Sequence, residues 1–190
     1  MRALKAFQRC FRRLAAERSG VAAVEFALIL PIMLLVYIGM MEGSSLIAMD
    51  RKVQSVSGAV GDLVSRSDGE ISQTTLNDYV RVAGGMMTPY PVEPLEQIVS
   101  QIYVDGNGNP KVDWSKRYVN QSLVSGGEHA VGSAYALPTD VVSISKGLYV
   151  IVAESRYSYP PLYGIVFTDK VTLYRENFFI PRFREKIVLN

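Results

Sequence analysis

Glu25 carries the one charged side chain of an apolar stretch near the start of the chain. The stretch runs from Val21 to Met41, and its 21 residues would span ~30 Å as an α-helix. That length matches the hydrocarbon core of a bilayer. A carboxylate within such a helix costs about 2.5–3.5 kcal/mol, and less near the interface. A charge held at that cost indicates a role, and the chemistry open to it is ion pairing with a cation at the same depth.

The apolar stretch allows three interpretations. It exceeds the roughly 7–15 residues of a signal-peptide core, and residues 46–48 form a poor cleavage site. A signal anchor that is never cut fits the length and the basic residues before it. In the third interpretation, a cut after Gly20 frees the amine of Val21 one helical turn from Glu25.

A spaced set of residues around this stretch carries a resemblance to a known family: Gly20, Glu25, Phe26, Ala27, Leu28, Pro31, Gly39 and Glu42. The pattern Gly-x-x-x-x-Glu-Phe, placed between a basic leader and a spanning helix, resembles the TadE family. The members of that family are pseudopilins of the tight-adherence (Flp) pilus system. The resemblance covers about residues 18–45.

This resemblance implies a function and a set of partners. A dedicated prepilin peptidase would cut between Gly20 and Val21 on the cytoplasmic face, with Glu25 and Phe26 completing the processing motif. The product would be a minor pilin-like protein that is required to assemble a type IVb pilus without forming its bulk. The implied partners are the peptidase, other pilins or pseudopilins, inner-membrane pilus assembly proteins and membrane lipid.

Two residues of the apolar helix are candidates for a role in assembly. A neighbouring subunit's freed ammonium could offset the cost of the Glu25 charge, or Glu25 could simply lie in the headgroup region. Pro31 lacks a backbone N–H, so we expect it to kink the helix. That kink is either a tolerated irregularity or a flexible point that lets a subunit leave the membrane.

The distribution of charge predicts the orientation of the chain. Residues 1–19 carry six Lys or Arg against one Glu, a net charge of +5. Residues 43–190 carry 14 Lys or Arg against 15 Asp or Glu, so the large domain is nearly neutral and offers no electrostatic case for nucleic acid. The basic end should stay in the cytoplasm, with the helix in the bacterial inner membrane and the domain in the periplasm or in the pilus.

Residue types suited to catalysis or metal binding are sparse. Cys10 precedes the helix and His129 is the only histidine, so no zinc site of the common Cys/His types is expected. Ser133, His129 and Asp140 are the residue types of a hydrolase triad, but their spacing defines no geometry. Nucleotide-binding and nucleophile-elbow motifs are absent from the sequence. We therefore expect no enzymatic activity, no cofactor and no metal.

Apolar periodicity predicts two helices. The first continues past the membrane, because a helical stripe repeats on one face and is broken at residues 65–69: Val53, Val56, Val60, Leu63 and Val64. A second helix is predicted from Ser72 to Met86. The glycine pair at 84–85 and the prolines that follow end it.

Four stretches rich in Val, Ile and Tyr predict strands: residues 97–104, 111–115, 147–159 and 171–180. The first two flank a hairpin turn that begins Asp105-x-Asn107-x-Asn109. This turn departs from a calcium-binding loop at Pro110 and Lys116, so we interpret it as a turn only. The stretch 147–159 is apolar on both faces, which predicts a central strand. Residues 117–140 predict a long loop and residues 182–186 a solvated edge.

Together these features predict an α+β protein in three parts. Residues 1–20 are the leader, residues 21–42 a single transmembrane helix, and residues 43–190 an exported, pilin-like domain with a small antiparallel sheet of about four strands. The predicted function is the assembly role implied by the resemblance. The alternative is an unprocessed, signal-anchored periplasmic domain that binds a cell-wall or envelope ligand.

Overall fold

A computed structural model describes residues 19–165 and 168–190, so the leader predicted for residues 1–20, with Cys10, lies outside the described residues except for its last two positions. The helices are α1 (Ser19–Ser65), α2 (Gln73–Gly84) and α3 (Thr139–Ile144). The strands are β1 (Glu70–Ile71), β2 (Leu95–Val104), β3 (Pro110–Val119), β4 (Ser122–Val124), β5 (Tyr149–Tyr159), β6 (Val171–Phe179) and β7 (Val188–Leu189). The predicted α+β class is confirmed.

The first helix, α1, is continuous over 47 residues and therefore ~70 Å long. Four members of the predicted stripe are fully buried against the domain: Val53, Val56, Val60 and Val64. The fifth member, Leu63, is half-buried. The helix ends at Ser65, as predicted, and Gly69 adopts a φ of +72° in the turn that follows. The valine stripe thus sets the face of α1 that packs on the domain.

The second helix, α2, packs beside α1 and begins at a side-chain cap. The Ser72 hydroxyl accepts a hydrogen bond from the Thr75 N–H at 3.1 Å. The helix ends at Gly84 and continues as a short 3₁₀ turn, Gly85–Met87. Its buried apolar residues are Leu76, Val80 and Ala83, and Met87 of the 3₁₀ turn is buried as well, whereas Tyr79 is half-buried.

The main sheet has five antiparallel strands in the order β4-β3-β2-β5-β6, one more than expected. The central position predicted for β5 is confirmed, because β5 pairs with β2 on one side and with β6 on the other. The extra strand is β4, which pairs only with β3 at the edge. A three-residue edge strand that is exposed throughout shows no alternation of apolar residues, so periodicity could not predict it.

The hairpin between β2 and β3 turns at Asp105, as predicted. Its carboxylate accepts hydrogen bonds from the N–H groups of Asn107 and Asn109 at 2.9 and 2.8 Å, and from the Asn109 side-chain amide at 2.9 Å. These bonds lower the pKa of Asp105. The carboxylate is therefore used to close the turn.

The long loop predicted for residues 117–140 is wrong at both ends. Residues 117–119 continue β3, residues 122–124 form β4, and α3 begins at Thr139. The connection between β4 and α3 is attached to the sheet, because the Val112 N–H donates to the Ser133 carbonyl at 2.9 Å.

A short parallel pair, β1 with β7, was not predicted. Residues 182–186 are exposed, in keeping with the solvated edge expected there, but Ile187 is buried. The Ile187 carbonyl accepts a hydrogen bond from Trp114 Nε1, and its N–H donates to Gln101 Oε1, both at 2.9 Å. These contacts hold the last described residues against the sheet.

The domain is built in three layers. The second half of α1, together with α2, covers one face of the sheet and forms the larger apolar cluster. The connection that includes α3 covers the outer face, where Val150 and Val152 pack against Leu137 and Val142. Both faces of β5 are therefore buried, which explains its nearly continuous apolar sequence.

Candidate functional site

The first half of α1 stands clear of the domain. Every residue from Gly20 to Tyr37 is exposed, and partial burial begins only at Ile38. Of the helices in the described residues, α1 alone is long and apolar enough to cross a membrane, and its apolar window is not buried within the protein. Hydrocarbon solvates such a surface far better than water does. The segment is therefore suited to be a membrane anchor.

The four residues predicted for processing lie on the first turns of this exposed segment. Gly20, Val21, Glu25 and Phe26 are all exposed, and a Cβ at Gly20 would meet no atom within 4 Å. Val21 and Glu25 are four residues apart and share one face of the helix. Within residues 19–165 and 168–190, Glu25 has no hydrogen-bond or ion-pair partner. Its carboxylate is thus accessible to another molecule.

Pro31 lies inside α1, which continues through it without interruption. Because proline has no N–H, the carbonyl four residues earlier lacks its usual helical donor. The predicted kink and flexible point stay predictions. Pro31 and Glu25 both lie on the exposed segment, six residues apart along α1.

Glu42 marks the point where α1 enters the domain, and it is 1% exposed. Its Oε1 accepts hydrogen bonds from the N–H groups of Tyr163 at 3.1 Å and Ile165 at 3.3 Å. Tyr159 lies close by, and its pKa is raised by burial and by neighbouring groups that include Glu42. In the sequence, Glu42 stands out only as part of the family pattern. Its position directly after the apolar stretch was the signal that a structural role could be found there.

A row of polar contacts joins α1 to β6 beyond this point. Arg175 donates two hydrogen bonds to Asp50, at 2.9 and 2.5 Å. Asn177 accepts a hydrogen bond from Gln54 at 2.9 Å and donates one to Ser57 at 2.6 Å. Residue numbers rise together on both elements, so α1 and β6 run in the same direction. The row fixes α1 on the sheet.

Farther from the membrane segment, a buried carboxylate organises the outer face of the sheet. Glu154 is 2% exposed, and its Oε2 lies 2.8 Å from His129 Nε2. Its Oε1 lies 2.6 Å from the Tyr174 hydroxyl and 3.3 Å from that of Tyr135. Burial, followed by the nearby carboxylates, raises the pKa values of both tyrosines. Both tyrosines therefore stay neutral. Tyr135 and His129 hold the connection before α3 on β5, whereas Tyr174 contacts Glu154 from the neighbouring strand β6.

Ser133, His129 and Asp140, the residue types of a hydrolase triad, are not hydrogen-bonded to one another in the structure. His129 is bonded to Glu154, the Ser133 hydroxyl donates to the Ala130 carbonyl at 2.7 Å, and Asp140 lies in the first turn of α3. In the described part of the chain, no group of three or more His, Cys, Asp or Glu side chains is arranged to hold a metal ion.

Next to Glu154, two arginines and two glutamates form a surface network. Arg156 donates to Glu128 at 3.0 Å and lies 3.7 Å from Glu96, and Arg117 pairs with Glu96 as well. The hydrogen bond from Arg156, with the positive charges around it, lowers the pKa of Glu128. The network links β2, β3 and β5 across the sheet.

Comparison with known protein families matches one segment of the chain. Residues 20–60 match the model of the TadE-like protein family. No curated protein and no solved structure matches the chain. The predicted resemblance is therefore confirmed over this segment.

The TadE-like segment includes both parts of α1. It begins at Gly20, contains Glu25 and Pro31, passes the buried Glu42 and ends one turn before the end of the helix. The match suggests a minor pilin-like protein that is associated with the tight-adherence pilus and interacts with its assembly components. Together with the single apolar helix, it is consistent with a membrane-anchored protein.

Proposed function

We propose that this protein is a minor pilin-like subunit required to assemble a tight-adherence (Flp) type IVb pilus. A prepilin peptidase cuts it after Gly20, α1 anchors it in the inner membrane, and residues 43–190 lie in the periplasm. Its role is to contact other pilins, pseudopilins and inner-membrane assembly proteins, without enzymatic activity of its own. The TadE-like match and the exposed apolar half of α1 support this function.

The observation that carries the proposal is the accessible carboxylate of Glu25. After a cut following Gly20, the new Val21 ammonium would lie ~6 Å along the helix axis from Glu25, on the same face. Two such helices side by side could pair one subunit's ammonium with the other's carboxylate. In hydrocarbon that pairing offsets the desolvation of both charges.

Pro31 would serve the same step. The missing helical hydrogen bond weakens α1 between its charged start and the buried Glu42. A helix that bends there can leave the bilayer and dock on a growing filament without disturbing the packed half.

Processing is tested by the intact mass of the chain extracted from a pilus-forming host. We expect the loss of residues 1–20, whereas the full-length mass would support the unprocessed, signal-anchored alternative. Gly20→Val should block the cut, because a peptidase must approach the backbone closely there. Gly43→Val is the matched control, because at both glycines a Cβ would meet no atom within 4 Å.

The assembly role is tested with Glu25→Ala. Removing the carboxylate relieves a desolvation cost, so abundance and membrane insertion should be unchanged, while pilus formation and crosslinking to partner subunits should fall. Ile29→Ala, one turn further along the same face, is the control for lost side-chain volume. Full piliation with unchanged crosslinks in Glu25→Ala would show that the carboxylate is only an interfacial residue.

A further inference from the structure

A short apolar loop lies beside the point where α1 enters the domain. This exit loop, residues 160–165, follows β5 directly. Leu162, Tyr163 and Ile165 are 53%, 52% and 56% exposed, so three large apolar side chains in four positions point away from the core. Such a cluster is unfavourable in water and marks a surface that contacts something apolar.

The exit loop is attached to a defined position on α1. Glu42 Oε1 accepts the N–H groups of Tyr163 and Ile165, at 3.1 and 3.3 Å. Glu42 directly follows Met41, the last residue of the apolar stretch. The loop backbone is thus held within hydrogen-bonding distance of the end of the membrane segment.

We infer that the exit loop inserts its apolar side chains into the interface of the bilayer that α1 spans, which rests on the membrane anchor of the proposed function. The 21 apolar residues before Glu42 span ~30 Å as a helix, equal to the hydrocarbon thickness. Glu42 therefore lies at the boundary between hydrocarbon and headgroups, and the loop lies at the same depth. Tyrosine, the residue type at Tyr163, is enriched at this boundary.

Lipid is the occupant that the geometry favours over a neighbouring protein. The loop reaches the bilayer level whenever α1 is inserted, because Glu42 fixes it to the helix, and no second protein is needed. A single spanning helix is free to tilt where it leaves the bilayer. A second contact, beside the helix axis and at the same depth, restricts this tilt and holds one face of the domain toward the membrane.

The test uses fluorescence of an environment-sensitive probe, NBD, on single cysteines in the full chain. Cys10→Ser removes the only native cysteine. Leu162→Cys reports on the exit loop, Leu34→Cys on the spanning helix, and Val131→Cys, where the native residue is 73% exposed, on an apolar surface position elsewhere in the domain. Each labelled protein is reconstituted in vesicles of phosphatidylethanolamine and phosphatidylglycerol with or without a lipid spin-labelled near the headgroup.

We expect blue-shifted emission and strong quenching by the shallow spin label at position 162, with water-like, unquenched emission at position 131. Water-like emission at 162 with a buried probe at 34 would overturn the loop insertion while leaving the anchor intact. Water-like emission at 34 as well would refute the anchor and the inference together.

A second arm excludes a second copy as the occupant. Lowering the protein-to-lipid ratio should leave the quenching at position 162 unchanged, since lipid contact does not depend on protein concentration. Blue-shifted emission that is little quenched by the spin-labelled lipid, and that becomes water-like on dilution, would mean that another copy covers the loop, which overturns the inference. Tyr163→Cys, labelled in the same way, should repeat the result for Leu162→Cys.

Discussion

The two halves of α1 are one continuous helix with two different surfaces. Before Glu42, apolar side chains surround the helix on all sides, and Met33 is 58% exposed. After Glu42, the buried apolar residues keep to one stripe and Met49 is completely buried, whereas Ile47, off this stripe, is 58% exposed. The difference follows from the surroundings. Hydrocarbon contacts every face of a helix, whereas a domain covers only one.

Glu42 and Glu25, the carboxylates of the two halves, differ in their surroundings in the same way. Glu42 is buried, and its charge is stabilised within the chain by backbone N–H groups. Glu25 is exposed, and the described residues provide it with no partner. A carboxylate held inside the fold is thus distinguished from one that the described residues leave exposed.

The largest expected effect comes from truncating a methionine in the packed half of α1, with a methionine in the exposed half as the comparison. Met49→Ala should lower the free energy of unfolding of the domain by about 2–5 kcal/mol, because it leaves a cavity in the core. Met33→Ala should leave that free energy unchanged. Urea unfolding in detergent, followed by the fluorescence of the buried Trp114, measures both. Equal losses would mean that the exposed half also supports the domain.

The boundary between the halves is tested next, with Glu42→Ala. The N–H groups of Tyr163 and Ile165 lose their acceptor, at a cost of about 1–3 kcal/mol where no water replaces it. Hydrogen exchange should become faster at these two amides, while the amides of β2 stay protected. Glu42→Gln keeps an acceptor oxygen and should fall between Glu42→Ala and the native protein. Unchanged exchange in Glu42→Ala would show that the carboxylate does not hold the loop.

A pair of glycines in the packed half provides a smaller effect. A Cβ at Gly61 would overlap the Phe179 ring and lie 3.0 Å from the Ala153 Cβ, whereas at Gly58 the nearest atom is 4.0 Å away. Gly61→Ala should lose about 1–3 kcal/mol to overpacking, against a gain of about 1 kcal/mol in helix propensity. Gly58→Ala should show only the gain. Thermal unfolding of the two variants side by side should place Gly58→Ala above Gly61→Ala, and the reverse order would contradict the packing of α1 on β6.

The smallest expected effect is on the pH dependence of stability, and we expect it only for a change in the domain. The pKa of Glu128 is lowered from its ordinary value of 4.5, chiefly by the hydrogen bond from Arg156. Its contribution to stability is therefore present above pH 4.5 and is lost as the pH falls through its lower, folded-state value. Glu128→Gln should reduce this acid-dependent loss. Glu25→Gln, the control in the anchor, should leave the acid unfolding midpoint unchanged, because Glu25 contacts no group of the domain.

The local features of the chain could be predicted from its sequence. The valine stripe, the break after Ser65, the start of α2 near Ser72 and the turn at Asp105 each depend on neighbouring residues in the chain. The same holds for the apolar stretch and for the Gly20-to-Glu25 spacing, which identified the TadE-like segment.

Contacts between distant residues could not be predicted in this way. The pairing of β7 with β1 involves two residues on each strand, too few for any periodicity. The bonds from Glu42 to residues 163 and 165, and from His129 to Glu154, join parts of the chain that only the folded sheet brings together. Edge strands and buried polar partners therefore require the structure.

The shared direction of α1 and β6 has a mechanical consequence. Between Asp50 and Gly61 the helix follows the strand over roughly 16 Å. Tension along the helix axis would therefore act on all of these contacts at once, as shear, and would not peel them apart one after another. A force that lifts the domain away from the membrane is transmitted to the anchor through the whole joint. Under the proposed function, the domain is thus a handle that carries an axial pull to the anchor without α1 being stripped from the sheet.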